Sequence, residues 1–353
     1  MVRLIHRLSI ALLIAASFET VGYLGNIQPA LAGTITLPDG GRCEGEITSG
    51  TLNGQGMCEY ANGDRYEGAF ASGQPEGQGI YTFADGGRYE GEFKGGQIEG
   101  QGVWQYADGD RYEGTFKNGQ PNGTGAYISA DGGRYEGEFQ DGQPQGQGTF
   151  TFQDGDKCSG VVSNGQISGS GECTYSNGNS YTGELSNGQP NGTGTYTFAD
   201  GGTYEGEFQD GKFNGTGVRT YANGNRYEGT FVDGKPQGEG TFTLEGEGVY
   251  TGEFQNGQFN GTGVFTFANG NRYEGEFKDG QFHGQGAYIF ANRDRCEGQF
   301  QGGELNGTGM CTYANGDRYE GQFSNGDKEG SGVYIFADGT RVEGNWQAGE
   351  LQN

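Results

Sequence analysis

The sequence has little of what builds an ordinary globular core. Apolar residues make up 31% of its 353 residues, whereas soluble domains average about 45–50%. Proline occurs seven times and histidine twice, while glycine reaches 77 residues. The apolar content is mainly Tyr (21) and Phe (23), which suit pleated strands better than helix interiors. This composition excludes a single large hydrophobic core.

The first 32 residues differ from the rest and have the pattern of a signal peptide. A basic start at residues 3–7 precedes an apolar run over residues 8–18, which is too short to span a bilayer. Small residues then predict cleavage after Ala32. We therefore expect residues 33–353 to form the mature protein, in the periplasm or outside the cell.

After the signal peptide, the sequence repeats every 23 residues without an insertion. With Tyr66 as position 0 of its unit, Gly occupies positions +2 and +7 in all fourteen units. Gly also occupies positions +11 and +13 in all thirteen units that reach them. A fixed period of this length is typical of arrays in which each unit packs against the next.

Each unit contains two stretches with period-two alternation, which is typical of paired strands. One carries rings at positions 0 and +4, as in Tyr89 and Phe93, and the other at +15 and +17, as in Trp104 and Tyr106. A Gly-rich turn such as residues 118–122 lies between them, and Asp-Gly or Asn-Gly at +19 and +20 leads into the next unit. We predict an all-β, elongated, single-layer antiparallel meander or solenoid of stacked β-hairpins.

The cysteines fall only at positions 0 and +15. In an exported protein they predict three disulfides, because a zinc site needs thiols at shorter spacing. The predicted pairs are Cys43 with Cys58, Cys158 with Cys173, and Cys296 with Cys311.

Disulfides require opposed residues, so we predict that position 0 faces +15, +2 faces +13 and +4 faces +11. For the rings at 0 and +15 to share a face, the second loop must hold an odd number of residues or a bulge. A three-residue loop with Gly at +20 in the left-handed region meets this requirement. Glu247 and Arg293 are the exceptions at +20.

The pattern Tyr-x-Gly-x-(Phe/Trp)-x-x-Gly-x-x-x-Gly-x-Gly resembles the MORN repeat, and the resemblance covers residues 33–353. Residues 273–286 match closely, and Trp346 retains the family's Trp. The resemblance implies a twisted single-layer sheet with an aromatic-lined groove. It also implies lipid binding, scaffolding or dimerisation. Catalysis in MORN proteins belongs to companion domains, so the resemblance implies no catalytic activity for the repeats themselves.

The aromatic groove has two interpretations. Regularly spaced rings suit a glycan or a peptide, but the rings can equally bury one another in a sheet without a second layer, and the sequence favours burial. Arg219 replaces a ring at position +15, so the groove there is expected to be partly wet, with the guanidinium over a ring. The candidate binding groove comprises Tyr204, Phe208, Arg219, Tyr221, Tyr227 and Phe231.

The opposite face is predicted to carry solvated ion pairs, because position −1 is basic in eleven units and position +1 is Glu in eleven. Calcium at residues 108–110 or 154–156 is a weaker alternative, since neither stretch has the spacing of a known calcium loop. His283 is the only histidine of the array and is predicted to lie in the Gly-rich turn. We predict no catalytic site, no metal and no cofactor.

Together these features predict an exported MORN-repeat scaffold without catalytic activity, whose partner is a protein or a polymer of the cell envelope. A carbohydrate-binding or envelope-binding module that uses the aromatic groove is the first alternative, and a phospholipid-binding repeat protein is the second. The net charge of −25 disfavours nucleic acid and anionic membranes. The end strands are predicted sites of self-association.

The charge generates a test against the second alternative. We expect no binding to phosphatidylserine liposomes at low salt, where electrostatic attraction would be strongest, because the long-range field is repulsive and no polybasic cluster offsets it. Liposome flotation measures this. Robust co-flotation with anionic liposomes, and not with neutral ones, would contradict the expectation.

Overall fold

The computed structural model describes residues 31–352, and it confirms the all-β prediction. The described residues contain no helix, and hence none that is long and apolar enough to cross a membrane. The proposed signal peptide lies outside them except for Leu31 and Ala32, which begin the first strand. It therefore stays a prediction.

The chain divides into two compact units, one of residues up to 178 with 184–188, the other of residues 179–183 with those from 189 onward. The strands of the first unit are β1 (Leu31–Thr36), β2 (Arg42–Thr48), β3 (Thr51–Glu59), β4 (Arg65–Ala71), β5 (Gln74–Thr82), β6 (Arg88–Lys94), β7 (Gln97–Gln105), β8 (Arg111–Lys117), β9 (Gln120–Ile128), β10 (Arg134–Gln140), β11 (Gln143–Thr151), β12 (Lys157–Ser163) and β13 (Gln166–Thr174). Strand β14 (Ser180–Ser186) contributes residues to both units.

The strands of the second unit are β15 (Gln189–Thr197), β16 (Thr203–Gln209), β17 (Lys212–Thr220), β18 (Arg226–Val232), β19 (Lys235–Leu244), β20 (Gly248–Gln255), β21 (Gln258–Phe267), β22 (Arg272–Lys278), β23 (Gln281–Ile289), β24 (Arg295–Gln301), β25 (Glu304–Thr312), β26 (Arg318–Ser324), β27 (Asp327–Ile335), β28 (Arg341–Gln347) and β29 (Glu350–Leu351). Within each unit, successive strands pair antiparallel, from β1 with β2 in the first to β28 with β29 in the second. Each unit is thus an open meander of hairpins, as predicted.

The turn inside each hairpin is shorter than predicted. Strand β8 ends at Lys117 and β9 begins at Gln120, so the turn holds only Asn118 and Gly119, with φ of 51° and 77°. Positive φ at both central residues defines the type I′ turn, for which Asn-Gly is the preferred sequence. The prediction of a turn over residues 118–122 was therefore wrong, because its last three residues belong to β9. The turn predicted for His283 was wrong for the same reason, since this residue lies in β23.

The loop between hairpins has the predicted three-residue form. The Tyr60 amide donates to the Asp64 carbonyl oxygen at 2.9 Å, which leaves three residues between them, and Gly63 has a φ of 90°. Arg293 adopts a φ of 77° at the same position, whereas Gly246 takes the left-handed conformation, at 75°, in place of Glu247. The two sequence exceptions are thus accommodated in different ways.

The register was predicted correctly at two of three positions. Cys43 lies opposite Cys58 and Gly45 opposite Gly56, but Ile47 at +4 lies opposite Leu52 at +9. A bulge lies between these pairs. The two-residue turn aligns +5 with +8, so between the turn and the glycine pair the second strand has two more residues than the first. Position +11 instead faces position +4 of the next unit, as Gly54 faces Phe70.

The paired glycines at +2 and +13 make room for the Tyr ring at position 0. A Cβ on Gly79 would lie 2.3 Å from Tyr66 Oη, and a Cβ on Gly102 would lie 2.3 Å from Tyr89 Oη. The ring therefore lies flat across the glycine pair, and any larger residue at +13 would displace it.

The three predicted disulfides are present, with Cα–Cα distances of 4.0, 4.1 and 4.0 Å. Each joins directly opposed residues of one hairpin, as in Cys158 opposite Cys173. In these units the disulfide occupies the place that the Tyr at position 0 has elsewhere.

The ring-over-glycine contact generates a test. Gly79→Ala should destabilise the protein by about 1–3 kcal/mol, because the new methyl group overlaps the Tyr66 ring. Gly309→Ala is the matched control at the same position of a cystine unit, where the nearest atom is the Glu297 carbonyl oxygen at 2.9 Å and no Tyr ring intervenes. Its loss should be smaller by thermal unfolding, and equal losses would contradict this account of the glycine.

Candidate partner-binding surface

The inner part of the ring face is sealed by its own packing. The ten tyrosines at position 0 are at most 1% exposed. Tyr66 makes edge-to-face contacts with Phe70 of its own unit and Phe93 of the next, at centroid distances of 5.0 and 4.9 Å, and its hydroxyl donates to the Ala69 carbonyl oxygen at 2.9 Å. Burial raises the pKa of this phenol. These rings form the core and cannot contact a partner.

Position +9 completes this core, which the sequence analysis missed. Phe213, Phe259 and Phe282 stack on the position-0 tyrosines at centroid distances of 3.8, 4.0 and 3.9 Å. Ten other units have Pro, Ile or Leu there, and one has Lys328. The available signal was the apolar residue two places before the invariant Gly at +11, since period two puts it on the same face.

The rings at +15 and +17 form a second row along the loop edge, here called the outer ring row. Phe83 stacks on Trp104 at 5.2 Å, and Trp104 stacks on Tyr106 at 5.3 Å. Most position +17 rings are half-buried, whereas Phe290 and Phe336 are 40% and 41% exposed. The outer ring row therefore offers a partner apolar surface mainly at position +17, because Tyr81, Tyr127, Phe150 and Phe265 at +15 are at most 9% exposed.

Arg219 interrupts the outer ring row in the repeat that begins at Tyr204, within the second compact unit of the chain. Its Cζ lies 3.3 Å from the centroid of Phe198 and 5.0 Å from that of Tyr221, which confirms the predicted guanidinium–ring contact. One terminal guanidinium nitrogen, Nη1, is buried and has no hydrogen-bond acceptor among the described residues. Burial lowers the pKa of Arg219. A desolvated donor of this kind gains free energy from any acceptor that reaches it.

The six residues of the predicted groove divide into two groups. Tyr204, Phe208, Tyr227 and Phe231 are all less than 5% exposed and belong to the sealed core. Arg219 and Tyr221 are half-exposed. The surface available around this position is therefore narrower than predicted and lies on the outer ring row, at Phe198, Arg219 and Tyr221.

A second cation among rings, Lys328, was not predicted. It occupies the apolar position +9, and its Nζ lies 4.9–5.3 Å from four ring centroids, those of Tyr313, Tyr319, Tyr334 and Trp346. Burial lowers its pKa, and attraction to the ring faces offsets part of the desolvation. The sequence signal was a Lys at a position that is apolar in every other unit.

Tyrosines of the outer ring row are tied to the loop of the preceding unit. Tyr81 donates to Asp64 Oδ2 at 2.7 Å, and the Ala84 amide donates to Oδ1 at 2.8 Å. The same arrangement joins Tyr334 to Asp317 and lowers the pKa of Asp317. Burial, together with this bond, raises the pKa of Tyr334 to about 12. These bonds fix each ring relative to the neighbouring unit.

The opposite face carries the predicted ion pairs. All ten Arg–Glu pairs at positions −1 and +1 form, for example Arg65 with Glu67 at 2.8 Å, and their side chains are solvent-accessible. A shallow cavity of about 720 Å³ lies on this face and is lined partly by Glu274, Arg295 and Glu297. Such exposed pairs contribute only about 0–1 kcal/mol each.

Among residues 31–352 there is no group of three His, Cys, Asp or Glu side chains placed to hold a metal ion. At one of the two calcium alternatives, the Asp110 carboxylate accepts hydrogen bonds from Tyr127 and from the Ala130 amide. That carboxylate is therefore engaged in the contact between units.

Repeated hairpins, sealed position-0 rings and constant loops define a tandem β-hairpin repeat protein. The MORN repeat family matches thirteen consecutive 23-residue segments, from residues 43–65 to residues 319–341. The chain belongs to the MORN repeat family. The unit that begins at Val342, counted as the fourteenth above, lies beyond the matched segments.

Comparison with curated proteins gives no match. Among solved structures, the TCP domain of SAS-4 from Drosophila melanogaster is 14% identical, covers 57% of this chain and 90% of its own, and has a TM-score of 0.27. The CPAP G-box domain is 14% identical, with 64% and 100% coverage and a TM-score of 0.26. Virginiamycin B lyase from Staphylococcus aureus is 13% identical, with 91% and 85% coverage and a TM-score of 0.13. Similarity this low supports no inference about function.

The Tyr334–Asp317 bond generates a pH test. Because the bond lowers the pKa of Asp317, its stabilisation is fully present above the ordinary value of about 3.8 and is lost as the pH falls through the lowered value. Tyr334→Phe should therefore lower the melting temperature at neutral pH, and its difference from wild type should vanish in acid.

Tyr288→Phe is the matched control, because Tyr288 Oη accepts a hydrogen bond from the neutral Asn271 amide at 2.9 Å. Its effect on the melting temperature should not change over the same pH range. Parallel pH profiles for the two variants would refute the role of the carboxylate.

Proposed function

We propose that this chain is an exported, non-catalytic scaffold whose outer ring row binds a protein partner. The observation that carries the proposal is Arg219, a partly buried cation with an unpaired nitrogen among rings that are half-exposed. Packing alone would favour Tyr or Phe at this position, as in most units. An acceptor from a partner, a carboxylate or a backbone carbonyl, would satisfy the free donor.

Export is supported by the three disulfides. All six cysteines are paired within hairpins, and disulfides persist in oxidising compartments such as the periplasm or the cell exterior. The N-terminal signal pattern agrees with this location. The proposed mature chain starts at Gly33, which leaves Gly33–Thr36 of β1 to pair with β2.

The proposal predicts that stability and partner binding separate at Arg219. Arg219→Tyr should keep or raise the melting temperature, because it replaces a desolvated charge with the ring found elsewhere, and it should weaken capture of the partner. Capture is measured as recovery, by immobilised mature protein, of the same partner band from an envelope fraction.

Glu228→Gln is the control on the opposite face, where Glu228 pairs with Arg226 at 2.7 Å in solvent. It should alter neither the melting temperature nor capture by much, because exposed pairs contribute little. If Glu228→Gln abolishes recovery while Arg219→Tyr leaves it unchanged, the charged face is the binding surface.

A glycan is the second candidate for the outer ring row. It is favoured by the exposed Phe290 and Phe336, since flat, partly exposed rings offer stacking surface to sugar faces. Co-sedimentation of the purified chain with cell-wall polysaccharide, lost in Phe336→Ser and retained in Arg219→Tyr, would support this function over the protein scaffold.

A further inference from the structure

The two end strands of the array are complementary parts of one hairpin. Strand β1 occupies repeat positions +11 to +16, counted back from Cys43 at position 0. Strands β28 and β29 occupy positions −1 to +5 and +8 to +9, counted from Val342. The strand that would face the first half of β28 is the one part of that hairpin missing from residues 31–352, and its positions are those of β1.

The hairpin of β28 and β29 contains only the pairs next to its turn. Trp346 faces Leu351 and Gln347 faces Glu350, the same +4/+9 and +5/+8 pairs that occur in complete hairpins. The four pairs from −1/+16 to +2/+13 are absent. Leu351 already covers Gly344, where an added Cβ would lie 2.4 Å from the Leu351 side chain, so the hairpin is folded up to the point where pairing stops.

Two strand edges are unpaired within residues 31–352. Among the described residues, β1 pairs only with β2, and the segment Arg341–Gly344 of β28 pairs only with β27. Val342 at position 0 and Ile35 at position +15 are half-exposed, whereas the tyrosines at position 0 elsewhere are at most 1% exposed. Unpaired backbone edges with apolar side chains are templates for adding a strand.

We propose that copies of this chain associate head to tail, with β1 of one copy completing the hairpin of β28 and β29 in the next. The register is set by the repeat. Val342 would face Ile35 on the ring face, Gly344 would face Gly33, and the two flanking pairs follow from these. A head-to-tail contact of this kind uses different surfaces on the two copies, so it leaves a free edge at each end and propagates.

Internal hairpins supply the template for this junction. In β10 and β11, Arg134 faces Thr151, Glu136 faces Thr149 and Gly137 faces Gly148. The same residue types recur in β18 and β19. The junction would pair Arg341 with Thr36, Glu343 with Thr34 and Gly344 with Gly33, so three of its four pairs repeat an internal hairpin residue for residue.

The junction is small and therefore weak. Four residue pairs between two strands bury much less than the roughly 1,200–2,000 Å² of a standard stable interface. Association should depend on concentration, and a covalent trap is the appropriate measurement. The array supplies its own trap, because its native disulfides join positions 0 and +15, the positions of Val342 and Ile35.

The test mixes two single variants of the exported, processed chain, Ile35→Cys and Val342→Cys, under mild oxidation. We expect a linked dimer in the mixture, joined through the two introduced cysteines by peptide mapping. Each variant alone should give no more than a background of linked species. The double variant should form a ladder of multimers on a non-reducing gel.

Glu343→Cys mixed with Ile35→Cys is the register control, because its side chain points to the opposite face. Equal linking in this mixture would refute the register. Absence of linked dimer from the Ile35→Cys and Val342→Cys mixture, with circular dichroism and native disulfides unchanged, would overturn the proposal, as would a link within one copy of the double variant.

A measurement without new thiols tests the same contact. The sedimentation coefficient of the wild-type chain should rise with concentration, and Val342→Lys should abolish the rise, because a charged edge residue opposes strand addition. This variant lies away from Arg219 and should leave partner capture intact. Loss of association and loss of the proposed function are thus separate outcomes.

Discussion

The architecture depends on a single contact, the Tyr ring at position 0 lying across the glycines at +2 and +13. A single sheet has no second layer against which to bury side chains. Here the ring itself covers the face of the sheet that a second layer would bury. Its hydroxyl donates to the carbonyl oxygen of position +3. The abundance of glycine, which would otherwise suggest disorder, is thus a requirement of packing.

This contact also separates structural residues from those available for recognition. Rings at 0, +4 and +9 enclose one another, so a substitution among them acts first through stability. The outer ring row and the charged face stay accessible, but only the former combines apolar surface with a desolvated donor. Arg219 replaces a ring of the outer ring row at position +15, and Lys328 replaces an apolar core residue at position +9.

Much of the fold follows from the sequence, because the period repeats the same constraint in every unit. The cysteine spacing alone determined the 0/+15 register, and the parity of the ring positions, with Gly at +20, favoured the three-residue loop. The bulge was missed because turn length and strand register were treated separately, and a two-residue type I′ turn makes them incompatible without extra residues. The cage around Lys328 was missed because its four rings come from three strands and one loop and meet only in the folded sheet.

The position of the disulfides has a mechanical consequence. A meander pulled from its two ends releases one strand after another, since each strand is held only by its neighbours in sequence, and forced unfolding is governed by the rate at which such contacts open. Each cystine joins residues 15 apart within one hairpin. Under tension the force would pass through each disulfide, so the residues between the two cysteines would not be extended. The repeats between the disulfide-bonded hairpins would extend instead.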